Sequence, residues 1–358
     1  MVMPLATQYA FKLASMPRGQ GYPHAITNHC NVPQRAVSVD FALNCLICFC
    51  DGWLPIPVGS VMDFETLESV WQSPRAREIQ EDVQAKKFTW CAVEHCGIVR
   101  HNMELDRATL AINVDDSCNL ACASCRREKI MVDSGDDFEH RQQALRRILS
   151  WLEKYHEPIN ITLGGNGDPL ASHVIRPLFH EYQPKTNQQF VLHTNGLLLR
   201  KQLAHSALLP QVGAVLLSVD AGTINTYEKI RRGGSWTVLV NNLEFLREVG
   251  LNKSTTLKFC LQAGNWHELE QFVDLCLHYG FTAHIHQLDD WGTWSDIMPT
   301  NPDAWTLNNG IFRDHDVLDS KHRNHVDCVQ VLQRLHRQYK PPQVFIDGYI
   351  LGKLNEST

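Results

Sequence analysis

At 358 residues the chain has room for one large domain plus a small one, or for a barrel with appendages. Hydrophobic content of 44%, charged content of 20% and a net charge of −6 are ordinary for a globular protein and exclude the global basic field that nonspecific nucleic-acid binding needs. No apolar run approaches the roughly 18 residues of a membrane-spanning helix, and Met1-Val2-Met3-Pro4-Leu5-Ala6 lacks the charged start and apolar core of a secretory signal, which points to the cytoplasm and to no membrane.

Residues 1–29 are polar and irregular, with Pro4, Pro17 and Pro23, and read as an extended arm. The stretch 30–103 then carries Cys30, Cys45, Cys48, Cys50, Cys91 and Cys96. In a reducing compartment such a concentration more often binds metal or does redox chemistry than forms disulfides. Ala36 to Phe41 alternates like a strand, Cys45 to Cys50 reads as its hairpin partner, and Asp51-Gly52 signals a turn. A short helix capped by Asp63 follows over 64–71, and another over 74–84. Four of these thiolates suit a tetrahedral zinc as well as an iron–sulfur cluster.

Ala111-Ile112-Asn113-Val114-Asp115 is an alternating apolar strand, and just beyond it Cys118, Cys122 and Cys125 stand at C-x3-C-x2-C spacing. Three thiolates on one loop can hold three corners of a cubane cluster and leave the fourth iron open to a small molecule; alone, the loop would also accept zinc. Strands are expected next at 160–163, 189–193, 214–219, 256–261 and 282–288, with helices over 138–155, about 200–208, 223–249 and 266–279. Such crossovers demand a parallel sheet, and right-handed crossovers in series curl it into a full or partial barrel. The expected fold is α/β: a partial (β/α)6 TIM-like barrel over 104–300, preceded by a small cysteine-rich α+β module over 30–103. A helix at 326–339 and a strand at 344–347, within 301–358, should pack on the barrel. Trp291, Trp294, Trp305 and Phe312 would cap its mouth or pack a lid.

Helices cover the outside of such a barrel, so the polar half of each alternating strand should face the lumen. That set is Asn113, Asp115, Thr162, His193, Ser218, Asp220, Lys258, Cys260, Gln262, His284 and His286. A lumen this polar suggests an open barrel holding a polar ligand rather than one packed solid. The strand ends, where ligands of such folds sit, read Gly164-Gly165-Asn166-Gly167-Asp168, then His193-Thr194-Asn195-Gly196, then Ser218-Val219-Asp220 with Arg231-Arg232-Gly233 after it, then Gln262 with Asn265. Glycines there expose backbone groups to a ligand, and an acid after them can pair with an amine.

The cysteine spacing behind a strand, with these strand ends in this order, resembles the radical S-adenosylmethionine (radical SAM) superfamily. Residues 30–97 resemble the SPASM or twitch modules that carry auxiliary iron–sulfur clusters in some of its enzymes, although family members mostly carry that module after the barrel. The resemblance implies that Cys118, Cys122 and Cys125 form the catalytic centre, holding a [4Fe–4S] cluster whose open iron is chelated by S-adenosylmethionine. It implies that Gly164, Gly165 and Asp168 hold the methionyl amino group, with the acid here an aspartate displaced by inserted residues. Ser218 and Asp220 would approach the ribose, Arg231 the carboxylate, and Thr194, Asn195 and Gln262 would complete the cofactor site. An auxiliary [4Fe–4S] cluster would sit on Cys30, Cys50, Cys91 and Cys96, with Cys48 the rival of Cys50 and Cys45 the spare.

The chemistry so implied is that of an enzyme, oxidoreductase or isomerase, fed by a reductant such as flavodoxin or ferredoxin. It would cleave S-adenosylmethionine to a 5′-deoxyadenosyl radical and abstract hydrogen from a group attached to a macromolecule. A peptide or protein residue, to be crosslinked, epimerised or rearranged, is one substrate class. The alternative is an amino-acid-modified nucleobase, as in phage DNA hypermodification. It is raised by the unusual place of the cysteine module and by the lack of a further domain-sized stretch to grip a leader peptide. Arg126, Arg127, Lys129, Arg231 and Arg232 would then meet phosphates. A non-enzymatic iron–sulfur protein for electron transfer is the distant third reading, at odds with ligand motifs at four strand ends.

Overall fold

The computed structural model describes residues 29–49, 54, 56–91, 93, 96, 104–122, 124–126, 128–288 and 314–356. The arm over 1–28, Cys50, Arg127 and the four aromatic residues between 291 and 312 lie outside that set. Ten strands make one sheet: β1 (Ala36–Val39), β2 (Asn44–Leu46), β3 (Gly59–Ser60), β4 (Ala108–Ile112), β5 (Ile159–Leu163), β6 (Gln188–Thr194), β7 (Val212–Ser218), β8 (Thr255–Leu261), β9 (Thr282–Gln287) and β10 (Val344–Ile346). Their spatial order is β10-β9-β8-β7-β6-β5-β4-β1-β2-β3. Every neighbour from β10 across to β1 is parallel, and only β2 and β3 run antiparallel.

The six strands expected of the barrel are β4 to β9. Each lies within three residues of its expected bounds; β4 starts earlier and stops at Ile112. Two more strands extend the parallel run. Val344–Ile346 adds beyond β9, and β1 inserts beside β4, so the N-terminal segment is part of the barrel sheet. Side chains fasten that join. Asn31 and Leu105 exchange two hydrogen bonds of 2.9 Å, and the indole of Trp151 donates to the Phe64 carbonyl at 3.0 Å.

The helices are α1 (Val32–Arg35), α2 (Leu67–Trp71), α3 (Pro74–Gln84), α4 (Gly135–Lys154), α5 (Arg176–His180), α6 (Leu199–Leu203), α7 (Ile224–Ile230), α8 (Trp236–Glu248), α9 (Leu269–Tyr279), α10 (His325–Gln338) and α11 (Gly348–Glu356). Helix α3 matches expectation because Ser73 caps it and Pro74 occupies its first turn, where no backbone donor is needed. Helix α2 starts later than expected. Thr66 and Ser69 form its cap, while Asp63 closes the preceding 3-10 turn by accepting from the Ser60 N–H at 2.7 Å. The helix expected over 223–249 breaks in two around Gly233, whose φ of +85° no helix accommodates.

Alternation sorts the strands as expected. Ile161, Leu163, Phe190, Leu192, Val215, Leu217, Leu257, Phe259 and Ile285 are fully buried against the helices. Thr162, His193, Ser218, Lys258, Cys260, His284 and His286 line the half-buried lumen. The stripe Ala144, Leu145, Ile148, Trp151 and Leu152 seats α4. No helix among the described residues is long and apolar enough to cross a membrane.

Candidate active site at the barrel mouth

The loop after β4 crosses the C-terminal mouth of the barrel. Its backbone is anchored by Cys118 N–H to the Ile130 carbonyl at 2.8 Å and by Cys125 and Arg126 N–H to the Cys122 carbonyl at 3.0 and 3.1 Å. Two arginines brace it from outside. Arg126 donates to the Asp116 carbonyl at 2.7 Å and to that of Asn166, and Arg232 donates to the carbonyls of Ala121 at 2.6 Å and Arg126 at 2.8 Å. These side chains, which a phosphate-binding reading would use, therefore hold the loop. Beneath it, Asp115 turns away from the lumen to Arg141 at 2.8 Å and to Ser172, because β4 ends before Asn113 and the alternation stops there.

Each of the three sulfurs meets a polar donor. Leu120 N–H lies 3.5 Å and Asn195 Nδ2 3.9 Å from Cys118 Sγ, Arg231 Nη1 lies 3.5 Å from Cys122 Sγ, and Arg126 bonds the Cys125 sulfur. Burial pushes the Cys118 thiol up to about 12, with Asp168 adding to it. Burial also raises the Cys122 thiol, against the pull of Arg231. A metal must displace those protons, so binding there couples to proton release.

The strand ends divide into open and closed positions. Gly165, at φ +137°, packs so closely on Asn113 that an added Cβ would lie 2.6 Å from its Oδ1. Gly167 lets its loop touch the cysteine loop, where Asp168 N–H donates to the Ser117 carbonyl at 2.8 Å. The Asp168 carboxylate, expected to face an amine, is closed: it accepts from Leu170 N–H at 3.0 Å, Thr194 Oγ1 at 2.8 Å and Asn195 N–H at 2.7 Å. Asp168 and Thr194 thus clamp two strand ends together. Asp220, expected near a ribose, sits at φ +59°, takes the Cys260 N–H at 2.7 Å and pairs with Arg231 at 2.6 Å. Arg231, expected at a carboxylate, bridges that acid to Cys122. Asn195 faces the cysteine loop, donating to Asn119 Oδ1 at 2.8 Å.

What stays open fits a polar guest. Asn113 Oδ1, Gln262 Nε2, Tyr227 Oη and Arg231 Nε are buried at this mouth without a hydrogen-bond partner among the described residues. Such atoms are costly unless something else satisfies them. Gly164, Gly165, Ser218 and Gln262 remain available to that guest. Asn113 was legible as a lumen residue, whereas nothing in the local sequence distinguished Asn119, Arg126 or Tyr227 as neighbours of the sulfurs.

In the N-terminal segment the structure brings Cys30, Cys48, Cys91 and Cys96 together. Burial raises the Cys30 thiol to about 11 with Cys96 adding to it, and burial followed by Cys48, Cys30 and Cys96 raises Cys91 well above its ordinary value. Cys45 stands apart beside Asp40 and Asp63. No group of three His, Cys, Asp or Glu among the described residues is close enough to grip a single ion.

Residues 112–276 match the Radical SAM superfamily. The barrel of this chain is a radical SAM domain. Among curated relatives, mycofactocin maturase MftC of Mycobacterium tuberculosis is 27% identical over 191 residues, 51% of this chain and 46% of its own. A GTP 3′,8-cyclase of Petrotoga mobilis is 28% identical over 187 residues, 49% of this chain and 55% of its own. The chain spans about half the length of the curated relatives it matches. Among solved structures, Streptococcus suis SuiB bound to precursor peptide SuiA aligns with a TM-score of 0.42 at 13% identity, over 82% of this chain and 57% of SuiB. The radical SAM domain implies a [4Fe–4S] cluster and S-adenosylmethionine, and the three donor-ringed thiols with unsatisfied polar atoms beside them fit both.

Proposed function

We propose that this protein is a radical SAM enzyme that abstracts a hydrogen atom from a peptide or protein residue. The observation that carries it is the convergence of Cys118, Cys122 and Cys125 under three polar donors at a barrel mouth with open polar atoms. Bound there, the cluster with S-adenosylmethionine supplies one-electron chemistry ending in hydrogen abstraction. The chain's own residues do the positioning. Arg231, held by Asp220, and Arg126 stabilise negative charge on the sulfurs; Asn113, Gln262 and the Gly164–Gly165 backbone meet the cofactor's polar groups. Cys30, Cys48, Cys91 and Cys96, which lie near one another in the N-terminal segment, would hold an auxiliary [4Fe–4S] cluster. A reductant such as flavodoxin or ferredoxin supplies the electron.

The maturase relatives favour a peptide-borne substrate. The GTP 3′,8-cyclases favour a nucleotide, but three of the five cations offered to phosphate are engaged, Arg126 and Arg232 with loop carbonyls and Arg231 with Asp220. Anaerobic reconstitution followed by reduction with S-adenosylmethionine should give about eight irons per chain and release 5′-deoxyadenosine. Iron at half that level alongside zinc would remove the auxiliary cluster, and no 5′-deoxyadenosine would remove the radical chemistry.

A further inference from the structure

Away from the cysteine loop, the far wall of the lumen gathers a second polar group. Ser218, Lys258 and His284 are lateral partners on β7, β8 and β9, and Cys260 and His286 pair one layer up. His284 Nε2 lies 2.8 Å from Asp347 Oδ1 just past β10, and the rings of His284 and His286 are 5.6 Å apart. His193 reaches in from β6. Burial, then the Lys258 ammonium, holds His193 down at about 4; burial, then Lys258, holds His286 at about 3. Both rings are therefore neutral near pH 7; His286 spends its one N–H on the Gln287 carbonyl, 3.1 Å from Nδ1, and His193 keeps one N–H to donate.

The Lys258 ammonium has no hydrogen bond or ion pair among the described residues, although its backbone carbonyl takes the Val219 N–H at 3.0 Å. The acid that feels its charge, Asp220, is already paired with Arg231, and Asp347, the acid near His286, is paired with His284. An ammonium inside a barrel without a counter-ion calls for an anion.

We propose that Lys258, flanked by His193 and His286, is a subsite for a carboxylate of the peptide substrate, a reading that rests on the radical SAM function proposed above. Position and charge both argue for it. Of the open cofactor positions, Gly164, Gly165 and Ser218 lie on β5–β7 and Gln262 just past the end of β8, whereas Lys258 sits four residues deeper in β8, below that mouth, where the other reactant can reach it. One positive charge with the His193 N–H beside it matches a monoanion. A phosphate dianion would want a second cation, and the nearest guanidinium, Arg231, is bound to Asp220 and Cys122. A carboxylate held here would present the carbon chain beside it toward Ser218 and the cofactor.

The test titrates sodium acetate, at constant ionic strength, into the reconstituted enzyme saturated with S-adenosylmethionine, following the ring signals of His193 and His286 by NMR. Wild type should show saturable shifts. Lys258→Met should weaken acetate by about tenfold or more, the worth of a charge-assisted hydrogen bond, while Lys258→Arg stays close to wild type; Lys258→Gln replaces the methionine variant if that one fails to fold. Equal affinity in wild type and Lys258→Met, or no saturable shift in wild type, would overturn the subsite. Inorganic phosphate saturating the same signals below the acetate concentration would overturn the carboxylate and indicate a nucleotide. Release of 5′-deoxyadenosine by the wild type is scored separately: its absence sinks the radical chemistry, whereas missing acetate binding with release intact sinks only the subsite.

Discussion

The two cysteine groups of this chain sit in different surroundings. Around Cys118, Cys122 and Cys125 the protein aims an amide side chain, a backbone N–H and two guanidiniums at sulfur. Around Cys30, Cys48, Cys91 and Cys96 the described surroundings include burial, the other sulfurs of the group, the Val32 N–H on Cys30 and the Asp82 carboxylate near Cys91. Hydrogen bonds and cations near sulfur stabilise added negative charge on a cluster and raise its potential. The guanidiniums at the mouth would favour added charge there, whereas the acid near Cys91 would oppose it. The same residue type serves both; the neighbours differ.

Breaking the contrast at its centre has the largest effect. Cys122→Ala should lose about four of about eight irons and all 5′-deoxyadenosine release, read by iron assay and chromatography; retained release would dismantle the assignment of the mouth site. Next comes the N-terminal group. Cys48→Ala should lose the other irons while Cys50→Ala keeps them, on the ground that Cys48 lies beside Cys91. The reverse result would return Cys50 to the ligand set. A smaller change tests the polar surroundings. Arg231→Lys keeps a cation for Asp220 but gives up the planar fork that reaches both acid and sulfur. If the lost bond differs by about 1 kcal/mol between redox states, the mouth cluster's potential falls by on the order of 50 mV. Redox titration followed by EPR reads that shift, and an unchanged potential would mean that Arg231 only packs.

The contrast also explains what could be read in advance. Strand period and cysteine spacing are local, so the barrel strands, the lumen side of Lys258 and His193, and the triple-cysteine loop were legible. Closure of a carboxylate is not local. Asp168 and Asp220 follow the strand ends as a ligand-binding acid would, yet one bonds Thr194 and Asn195 and the other Arg231, partners that only the assembled mouth brings near. The nearness of Cys48 to Cys91, more than forty residues on, is likewise not local. The pairing of β1 with β4 had no local signal either, because the hairpin pattern over 36–50 describes β1 and β2 and is silent about a parallel neighbour. The break at Gly233 had no signal beyond the Gly233-Gly234 pair, and the positive φ of Gly233 is fixed only in the folded chain.

A last prediction probes the lumen wall through stability. His193 and His286 titrate at about 4 and about 3 in the fold, against an ordinary 6.5. Between those values and 6.5 the unfolded chain binds protons that the folded chain refuses, so stability falls as pH drops through that window and is fully present above it. Going from pH 7 to about pH 5 should cost roughly 2 kcal/mol per histidine, since each covers about 1.5 pH units of its window. Urea midpoints of the reconstituted protein at the two pH values measure it. Burial is the larger cause of both shifts and Lys258 the smaller, so Lys258→Met should make the loss shallower without abolishing it. A steeper or unchanged loss in that variant would mean that the ammonium does not face the imidazoles, and the far wall would then be an ordinary buried polar surface rather than a charged counterpart to the cysteine loop.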